Sequence, residues 1–402
     1  MSQRPAVFVF KGVPSRFHHG ALAVCRTLGR LGVPVWANDE LERAPAARSR
    51  YRTGSAVWQP WPASPGESVE RLVAWARTQD ERALLMPVDD VATVAVEEHA
   101  DELAEWFRFP RQPEGLARRL SSKWTMAQLA QEHGLPTATV ARVDDLADLD
   151  DLLVEFGLPV VIKRIEGWSP DARGVASVSV ARTRERAREI VAEHPGNLLL
   201  QEYIPGASAT SWMFNGYFDE EGRCLFGATG YKVRQYPVSG GFTTLGQLEP
   251  HDELQTAVVR FLEGVGYRGI VDLGLRLDVR DGRYKLLDVN PRVGSTFRLF
   301  VDSADDDVVR VCYSHLVDGR AEPRTAPVRP RRWLAEPHDF RAGCALVASG
   351  GLSLRAFVGS AVSADERAWW AADDRAPFMS ALLSDVRATA SLALEGFRAS
   401  PV

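Results

Sequence analysis

Three polar side chains alternate along residues 288–292, where an apolar strand pattern ends. Asp288, Asn290 and Arg292 occupy every second position, so in an extended chain they lie on one face. A carboxylate and an amide oxygen two residues apart can bind one divalent cation, and an arginine one step further can hold phosphoryl oxygens through two hydrogen bonds. The pattern therefore fits magnesium–nucleotide chemistry, and it equally fits the solvated face of an ordinary strand.

The surrounding sequence predicts antiparallel hairpins. Residues 269–292 form two strand patterns on either side of Asp281-Gly282, a pair typical of a tight turn. An earlier hairpin is predicted over residues 211–237, with its turn at the sequence DEEG. Residues 158–181 give two further strands joined by a polar loop that contains glycine. The middle of the chain is therefore predicted to be antiparallel sheet with helices.

The first third of the chain has a different pattern. Apolar strands alternate with helical spacing up to about residue 115, which predicts a doubly wound parallel sheet. Gly12 and Gly20 do not form the compact glycine pattern of a dinucleotide site, so we expect no nicotinamide cofactor there. Asp89 and Asp90 follow a strand at the edge where ligands bind, and they equally fit a helix cap.

Bulk composition excludes several classes of partner. The 402 residues are 45% hydrophobic and 25% charged, as in soluble globular proteins, and the net charge is −5. The sequence shows no basic tail and no run of about 18 apolar residues, so we expect no nucleic-acid partner and no membrane association. The four cysteines are widely scattered, which predicts reduced thiols in a cytoplasmic protein.

Several motifs together resemble the ATP-grasp superfamily, and most closely its bacterial carboxylate-amine ligase branch, which includes D-aspartate ligase-type enzymes. DVNPR at residues 288–292 resembles the metal-binding strand, and LLLQEYIPG at 198–206 resembles the adenine-binding hinge. GYKVRQYPVSGG at 230–241 resembles a lysine-bearing strand followed by an active-site loop. Lys123 and Lys163 lie where the family places its phosphate-contacting lysines.

The resemblance covers about residues 5–320 and implies a fold of the α/β and α+β classes. An N-terminal doubly wound parallel-sheet domain would occupy residues 1–117. The ATP-grasp fold with its antiparallel sheets would occupy residues 118–325, with a nucleotide-binding lid at about 136–204. A C-terminal, mainly helical extension would occupy residues 326–402.

The resemblance also implies roles for single residues. Glu202 would accept a hydrogen bond from the adenine amine through its backbone carbonyl, and Ile204 would donate one through its N–H. Gln201 replaces a usual acid, and Ser208 replaces a usual ribose-binding glutamate. The implied set consists of nucleotide-binding Lys123, Lys163, Gln201, Glu202, Ile204 and Ser208, catalytic Arg292, Lys232 and Arg234, and metal-binding Asp288, Asn290 and Asp272.

Physical arguments bear on the cationic members of this set. Lys163 ends the apolar run VVIK, where an unpaired ammonium is costly, so a phosphate partner is favoured over a surface role. Lys232 and Arg234 alternate in one strand and would both face the transferring phosphate. A lysine-arginine strand surface without any function is the ordinary alternative.

One departure from the family concerns the second metal-binding acid. Folding the hairpin about Asp281-Gly282 puts Gly274 opposite Asp288, and glycine has no side-chain ligand. Asp272 lies two residues away on the same face, opposite Asn290, and we expect it to replace the missing acid. The alternatives are a magnesium held by fewer protein ligands and more water or phosphate oxygens, or nucleotide binding with little catalysis.

The implied activity is the ATP-dependent ligation of a carboxylate and an amine. Transfer of the γ-phosphate would give an acylphosphate, which the amine attacks to form an amide or peptide-like bond, with release of ADP and phosphate. The implied cofactors are ATP and Mg²⁺, the partners are small carboxylates and amines such as amino acids or peptides, and a homodimer is compatible with this function. The alternatives are another ATP-grasp reaction, either carboxylation or kinase-like transfer, and a nucleotide-binding regulator with little turnover.

Overall fold

The computed structural model describes residues 4–15, 17–41, 44–166, 178–194, 196–238, 240–324 and 327–384. This part of the chain contains one parallel sheet, one antiparallel sheet of four strands, and one large mixed sheet. None of its helices is long and apolar enough to span a bilayer. The four cysteines are unpaired, as the sequence predicts.

A five-stranded parallel sheet forms the N-terminal part. Its strands are Val7–Phe10 (β1), Val35–Asp39 (β2), Gly54–Val57 (β3), Ala83–Pro87 (β4) and Phe107–Arg108 (β5), and its helices are His19–Gly29 (α1), Pro65–Ala76 (α2), Asp90–Glu98 (α3) and Ala100–Trp106 (α4). The strand order is β3-β2-β1-β4-β5. Helix α1 packs in one apolar core and helices α2 to α4 pack in another, so both faces of the sheet are covered. The predicted doubly wound sheet is confirmed.

A four-stranded antiparallel sheet follows. Two helices lead into it, Leu116–Ser121 (α5) and Lys123–Glu132 (α6); its strands are Val140–Val143 (β6), Val160–Arg164 (β7), Val178–Ala181 (β8) and Leu198–Glu202 (β9), and its helices are Leu146–Phe156 (α7) and Arg184–Glu193 (α8). The order is β6-β9-β7-β8. Helices α7 and α8 cover one face, which buries Val160 and Ile162. Because side chains alternate along a strand, Lys163 and Gln201 lie on the opposite face.

The large sheet follows the four-stranded sheet in sequence. Its main strands are Ser211–Phe218 (β10), Cys224–Tyr236 (β11), Phe242–Leu248 (β12), Gly269–Asp278 (β13) and Arg283–Asn290 (β14), accompanied by the helices Asp252–Gly264 (α9) and Val308–Asp318 (α10). Both predicted hairpins are present, β10–β11 and β13–β14. One face packs on α6 and α9, and the other packs toward the parallel sheet and α10. The second face continues into the candidate site.

The C-terminal extension is not only helical. It contains the helices Glu336–Ala348 (α11) and Leu354–Val362 (α12), followed by a helical stretch at residues 376–384. It also contains Arg332–Leu334 (β15) and Glu366–Arg367 (β16), which add two strands to the large sheet. The full order of that sheet is β14-β13-β10-β11-β12-β15-β16. Ion pairs of Asp374 with Arg26 and of Glu366 with Arg298, each 2.9 Å long, tie the extension to the rest of the protein.

Candidate active site

The β13–β14 hairpin has the register that its sequence predicts. Gly274 pairs with Asp288, and Asp272 pairs with Asn290. A Cβ placed on Gly274 would lie 3.7 Å from the Cβ of Asp288, so nothing but hydrogen faces that carboxylate from the neighbouring strand. The missing second acid is therefore a real feature of the site.

Asp272, two residues before Gly274, lies close enough to Asp288 for the charge of Asp288 to affect its pKa. Burial raises the pKa of Asp272 to about 6, partly opposed by the charge of Arg292, and the negative charge of Asp288 adds to the rise. Gly294 packs directly against this carboxyl group, since a Cβ on Gly294 would lie 2.6 Å from its Cγ. A buried carboxyl group that feels the negative charge of a neighbouring carboxylate is a place where a bound cation is favoured.

Asp288 is the carboxylate on which the site is centred. Its Oδ1 accepts a hydrogen bond from the Lys123 ammonium at the start of α6, and its Oδ2 accepts one from Asn290 Nδ2 at 3.2 Å. Burial opposes ionisation, but the charge of Lys123, followed by those of Lys163 and Arg292, lowers the pKa of Asp288. The carboxylate is therefore ionised at neutral pH and available to a cation.

The donor set fits magnesium only if other oxygens complete it. Among the described residues, no group of three or more histidine, cysteine or acidic side chains is placed to hold a metal. Asp272, Asp288 and Asn290 supply two carboxylates and one amide oxygen, and magnesium commonly keeps several waters and phosphate oxygens in its shell. Three side-chain donors of this chemistry are sufficient for a magnesium carried in with a nucleotide.

Lys163 is a buried ammonium, and no carboxylate among the described residues forms an ion pair with it. Its Nζ donates to Gln201 Oε1 at 2.8 Å. Gln201 is the residue that the sequence resemblance puts where an acid is usual. Burial lowers the pKa of Lys163 to about 8; Asp288 opposes the fall, and Lys123 and Lys232 add to it. A cation paired with a neutral amide can accept a phosphate as its counter-charge.

The hinge residues have less direct support. Glu202 ends β9, and its carboxylate accepts hydrogen bonds from the Thr139 N–H and Lys285, each at 3.0 Å, so its side chain is occupied. Ile204 is buried, and Ser208 starts a short 3-10 turn at the surface of the hinge. Their backbone roles toward adenine and the ribose role of Ser208 stay predictions.

Arg276 is a residue at the hinge that sequence reasoning missed. Its Nη2 donates to the Gly206 carbonyl at 2.6 Å, and its buried Nε has no hydrogen-bond partner in the part of the chain that the structure describes. Arg276 lies on the same face of β13 as Asp272, four residues along the strand. The period-two pattern of the hairpin could have identified it.

Lys232 is placed in the site, but Arg234 is not placed beside it as we expected. The Lys232 ammonium donates to the Gly241 carbonyl at 2.9 Å, and burial lowers its pKa while Asp272 and Asp288 oppose the fall. The pairing of β11 with β12 shifts between Lys232 and Arg234, so strict alternation fails at Val233. The Arg234 guanidinium instead forms two hydrogen bonds with Asp339.

Arg292 joins the site to the parallel-sheet domain. Its Nε donates to Asp90 Oδ1 at 3.0 Å, its Nη2 to Asn290 Oδ1 at 3.0 Å, and its Nη1 to the Val293 carbonyl at 3.2 Å. Asp89 instead caps α3 by accepting from the Ala92 N–H. The acid pair that follows β4 thus divides its work, since one carboxylate caps a helix and the other holds an arginine of the site.

The structure brings most of the implied set together. Hydrogen bonds or electrostatic contacts link Lys123, Lys163, Lys232, Asp272, Asp288, Asn290 and Arg292. Four cations on four different elements meet two carboxylates and an amide. Such an arrangement can bind a polyphosphate with a divalent cation and stabilise a phosphoryl group in transfer.

The pKa of Lys163 gives a pH-dependent prediction. If a phosphate of ATP binds the charged ammonium, we expect ATP affinity to fall roughly tenfold between pH 7 and pH 9, as Lys163 with a pKa of about 8 loses its proton. Gln201→Glu supplies a counter-charge, so the fall should move to higher pH. Calorimetric titration of ATP at each pH measures both effects.

Lys163→Ala is the companion variant for this titration. It should bind ATP weakly at every pH and show no inflection near pH 8. An inflection of the same size in Lys163→Ala would assign the titration to another group.

Comparison with known proteins gives consistent relatives. The chain matches no protein-family model. It is 24% identical over 229 residues to D-aspartate ligase of Enterococcus faecium (strain Aus0004), which covers 54% of each chain. It is 26% identical over 208 residues to D-alanine–D-alanine ligase of Acinetobacter baumannii, covering 50% of this chain and 67% of the relative. The chain thus matches about half the length of the first relative and two thirds of the second.

Solved structures agree on the fold. The L-amino acid ligase from Bacillus licheniformis superimposes with a TM-score of 0.62 at 14% identity, covering 83% of this chain and 80% of that one. An ADP complex of N5-carboxyaminoimidazole ribonucleotide synthetase superimposes with a TM-score of 0.63 at 13% identity, covering 87% of each chain. The resemblance to ATP-grasp carboxylate-amine ligases is confirmed, and the fold is that of the ATP-grasp proteins.

Proposed function

We propose that this chain, which has the ATP-grasp fold, joins a small carboxylate to an amine at the expense of ATP. The observation that carries the proposal is the convergence of three lysines, from α6, β7 and β11, on the face that bears Asp272 and Asp288. Because this cluster contains both cations and ionised carboxylates, a ligand with charges of both signs fits it better than a single anion or a single cation does. The cluster suits a nucleotide triphosphate that brings its own divalent cation.

The nucleotide would lie between the four-stranded sheet and the large sheet. Lys163 and Gln201 face this space from β7 and β9, and Lys123 enters it at the N-terminus of α6. The two lysines would hold phosphate oxygens as point charges. Asp288 and Asn290, with Asp272 beside them, would hold a magnesium that neutralises phosphate charge when it is bound.

Phosphoryl transfer to the substrate carboxylate needs alignment and charge stabilisation more than acid or base chemistry. In this proposal Lys232 and Arg292 would meet the transferring group beside the substrate. Arg292 is fixed by Asp90 and Asn290, so its guanidinium keeps its orientation before the reaction begins. The amine then attacks the acylphosphate, an amide bond forms, and phosphate leaves with the former carboxylate oxygen.

The relatives point to amino acids as substrates. Both curated relatives are named as ligases of amino acids, D-aspartate in one case and D-alanine in the other, and one structural neighbour is an L-amino acid ligase. We therefore propose amino acids or short peptides as the carboxylate and the amine. Free ATP as a substrate and four unpaired cysteines fit a cytoplasmic site of action.

A nucleotide-binding regulator with little turnover is the second candidate. Gly274 opposite Asp288 is the observation that favours it, because one usual metal ligand is absent. Under this function ATP and magnesium would bind, but no amine would increase phosphate release. Affinity without turnover in every substrate pair separates this candidate from the ligase.

The proposed function is tested by screening amino acids in pairs for ATP-dependent phosphate release. A ligase releases phosphate only when both partners are present, and mass spectrometry detects a product of their combined mass less water. Phosphate release with bicarbonate in place of the carboxylate, and with the amine still required, indicates carboxylation of the amine. Transfer to a substrate without any amine indicates a kinase-like reaction, and either result would replace ligation as the function.

A further inference from the structure

A buried ion pair connects the C-terminal extension to the strand that carries Lys232. Arg234 donates from Nε to Asp339 Oδ1 at 2.8 Å and from Nη2 to Asp339 Oδ2 at 2.7 Å. The side chains are 4% and 2% exposed. Two parallel hydrogen bonds between fully enclosed charges fix the orientation of both groups.

The same carboxylate also holds the neighbouring strand. Thr244 of β12 donates its hydroxyl to Asp339 Oδ1 at 2.9 Å, and the Ala335 N–H donates to the Thr244 carbonyl at 2.8 Å. On the other side, Arg234 Nη1 donates to Ser360 Oγ of α12 at 2.6 Å. One carboxylate on α11 therefore joins β11, β12 and, through the arginine, α12.

The contacts of Asp339 with Arg234 and Thr244, which we call the joint, lie immediately beside the bulge that separates Arg234 from Lys232. Because the register shifts at Val233, the direction of Lys232 depends on how the strand is held just after the bulge. Lys232 reaches the Gly241 carbonyl across the hairpin at 2.9 Å, so both strands set its position. Those two strands are the ones that Asp339 joins.

We propose that Asp339 is a positioning residue for the reaction, which acts by holding Arg234 and β12 so that Lys232 points toward the transferring phosphate. The inference rests on the proposed function. It assigns Arg234 to the support of Lys232 rather than to contact with the phosphate. It also gives the C-terminal extension a part in the active site through the support of Lys232.

The test is a double-mutant cycle between Asp339→Asn and Lys232→Ala. If Asp339 acts through Lys232, Asp339→Asn lowers kcat about tenfold or more, the scale on which a small misplacement costs rate. It should leave ATP affinity within about twofold, because Lys123 and Lys163 still hold the nucleotide. In the Lys232→Ala background, Asp339→Asn should have almost no further effect on kcat.

Asp374→Asn is the matched control. Asp374 is another buried carboxylate of the extension, paired with Arg26 at 2.9 Å and accepting from the Ser49 hydroxyl at 2.7 Å, but it contacts the parallel-sheet domain. We expect Asp374→Asn to lower the Tm about as much as Asp339→Asn does. Its effect on kcat should be the same in the wild-type protein and in the Lys232→Ala background. The positioning role would be overturned if Asp339→Asn lowered kcat by the same factor in the Lys232→Ala background as in the wild-type protein.

Hydrogen exchange tests the joint without any catalytic assay. Backbone amides of residues 231–236 and 242–245 should exchange faster in Asp339→Asn and stay unchanged in Asp374→Asn. Unchanged exchange in both variants would overturn the inference, whether or not the chain is a ligase. If Asp339→Asn does not fold, Thr244→Val removes one hydrogen bond to the carboxylate with little change of shape, and a smaller effect in the same direction is expected.

Discussion

Asp288→Ala should lower magnesium-dependent phosphate release by ~10²-fold or more while the fold survives, the scale seen when one preorganised electrostatic group is lost. The carboxylate is held ionised by Lys123, and it is the one acid of the hairpin that contacts both a lysine and Asn290. Its removal leaves magnesium with fewer charged ligands and the lysines with an uncompensated positive charge. Phosphate release measured across a magnesium titration reports the loss.

Two variants on the same strands make this result specific. Asn290→Ala removes the amide and should also raise the magnesium concentration needed for half-maximal rate. Asp281→Ala removes an exposed carboxylate at the turn of the same hairpin and should leave the magnesium dependence unchanged. A wild-type rate for Asp288→Ala at limiting magnesium, with an unchanged Tm, would remove Asp288 from the metal site.

The β13–β14 hairpin could be predicted in detail because its signals are local. Asp281-Gly282 fixes the turn, and Gly282 has a φ of +73°, a value that glycine adopts without strain. The alternation on the two strands then predicts Gly274 opposite Asp288 and Asp272 opposite Asn290, and both pairs are present, although the pairing shifts by one residue between Gly274 and Leu275. Register is legible in sequence when one short segment contains both the turn and the pattern.

Arg234 shows where that reasoning fails. Its placement depends on a shift in pairing at Val233 and on Asp339, which lies 105 residues further along the chain. Neither the shift nor the partner leaves a periodic signal. A period-two interpretation of β11 therefore puts Lys232 and Arg234 on one face, and the structure separates them because α11 supplies a buried carboxylate.

The partner of Asp90 and the short C-terminal strands also could not be predicted from the sequence. Asp90 is visible in sequence as an acid after a strand, but its pairing with Arg292 spans 202 residues. The two strands β15 and β16 are only three and two residues long, too short for a pattern, and they are strands because β15 pairs with β12 and β16 pairs with β15. Sequence identified chemical types well and long-range partners poorly, because partners are set by packing of distant elements.

Arg292→Lys should bind ATP almost normally and lose ~10²-fold or more in kcat, the scale for losing one donor to a transition state. Arg292 spans Asp90, Asn290 and the Val293 carbonyl with three different nitrogens. A lysine keeps the charge, but its single nitrogen cannot make these contacts and face a phosphoryl group at once. Burial opposes the charge of Arg292, yet Asp90 and Asp272 raise its pKa, so the arginine stays charged throughout the working range.

Asp90→Asn separates contact from support in this prediction. If Asp90 only orients Arg292, its replacement should lower kcat less than Arg292→Lys does, and the double variant should be no slower than Arg292→Lys alone. The measurement is ATP affinity by calorimetry and kcat at saturating substrates on the same purified variants. An interaction stronger in the transition state than in the ground state lowers kcat and leaves affinity unchanged. Loss of ATP affinity with kcat preserved would instead make Arg292 a ligand of the bound nucleotide, and unchanged values for both would make it a structural link between β14 and α3.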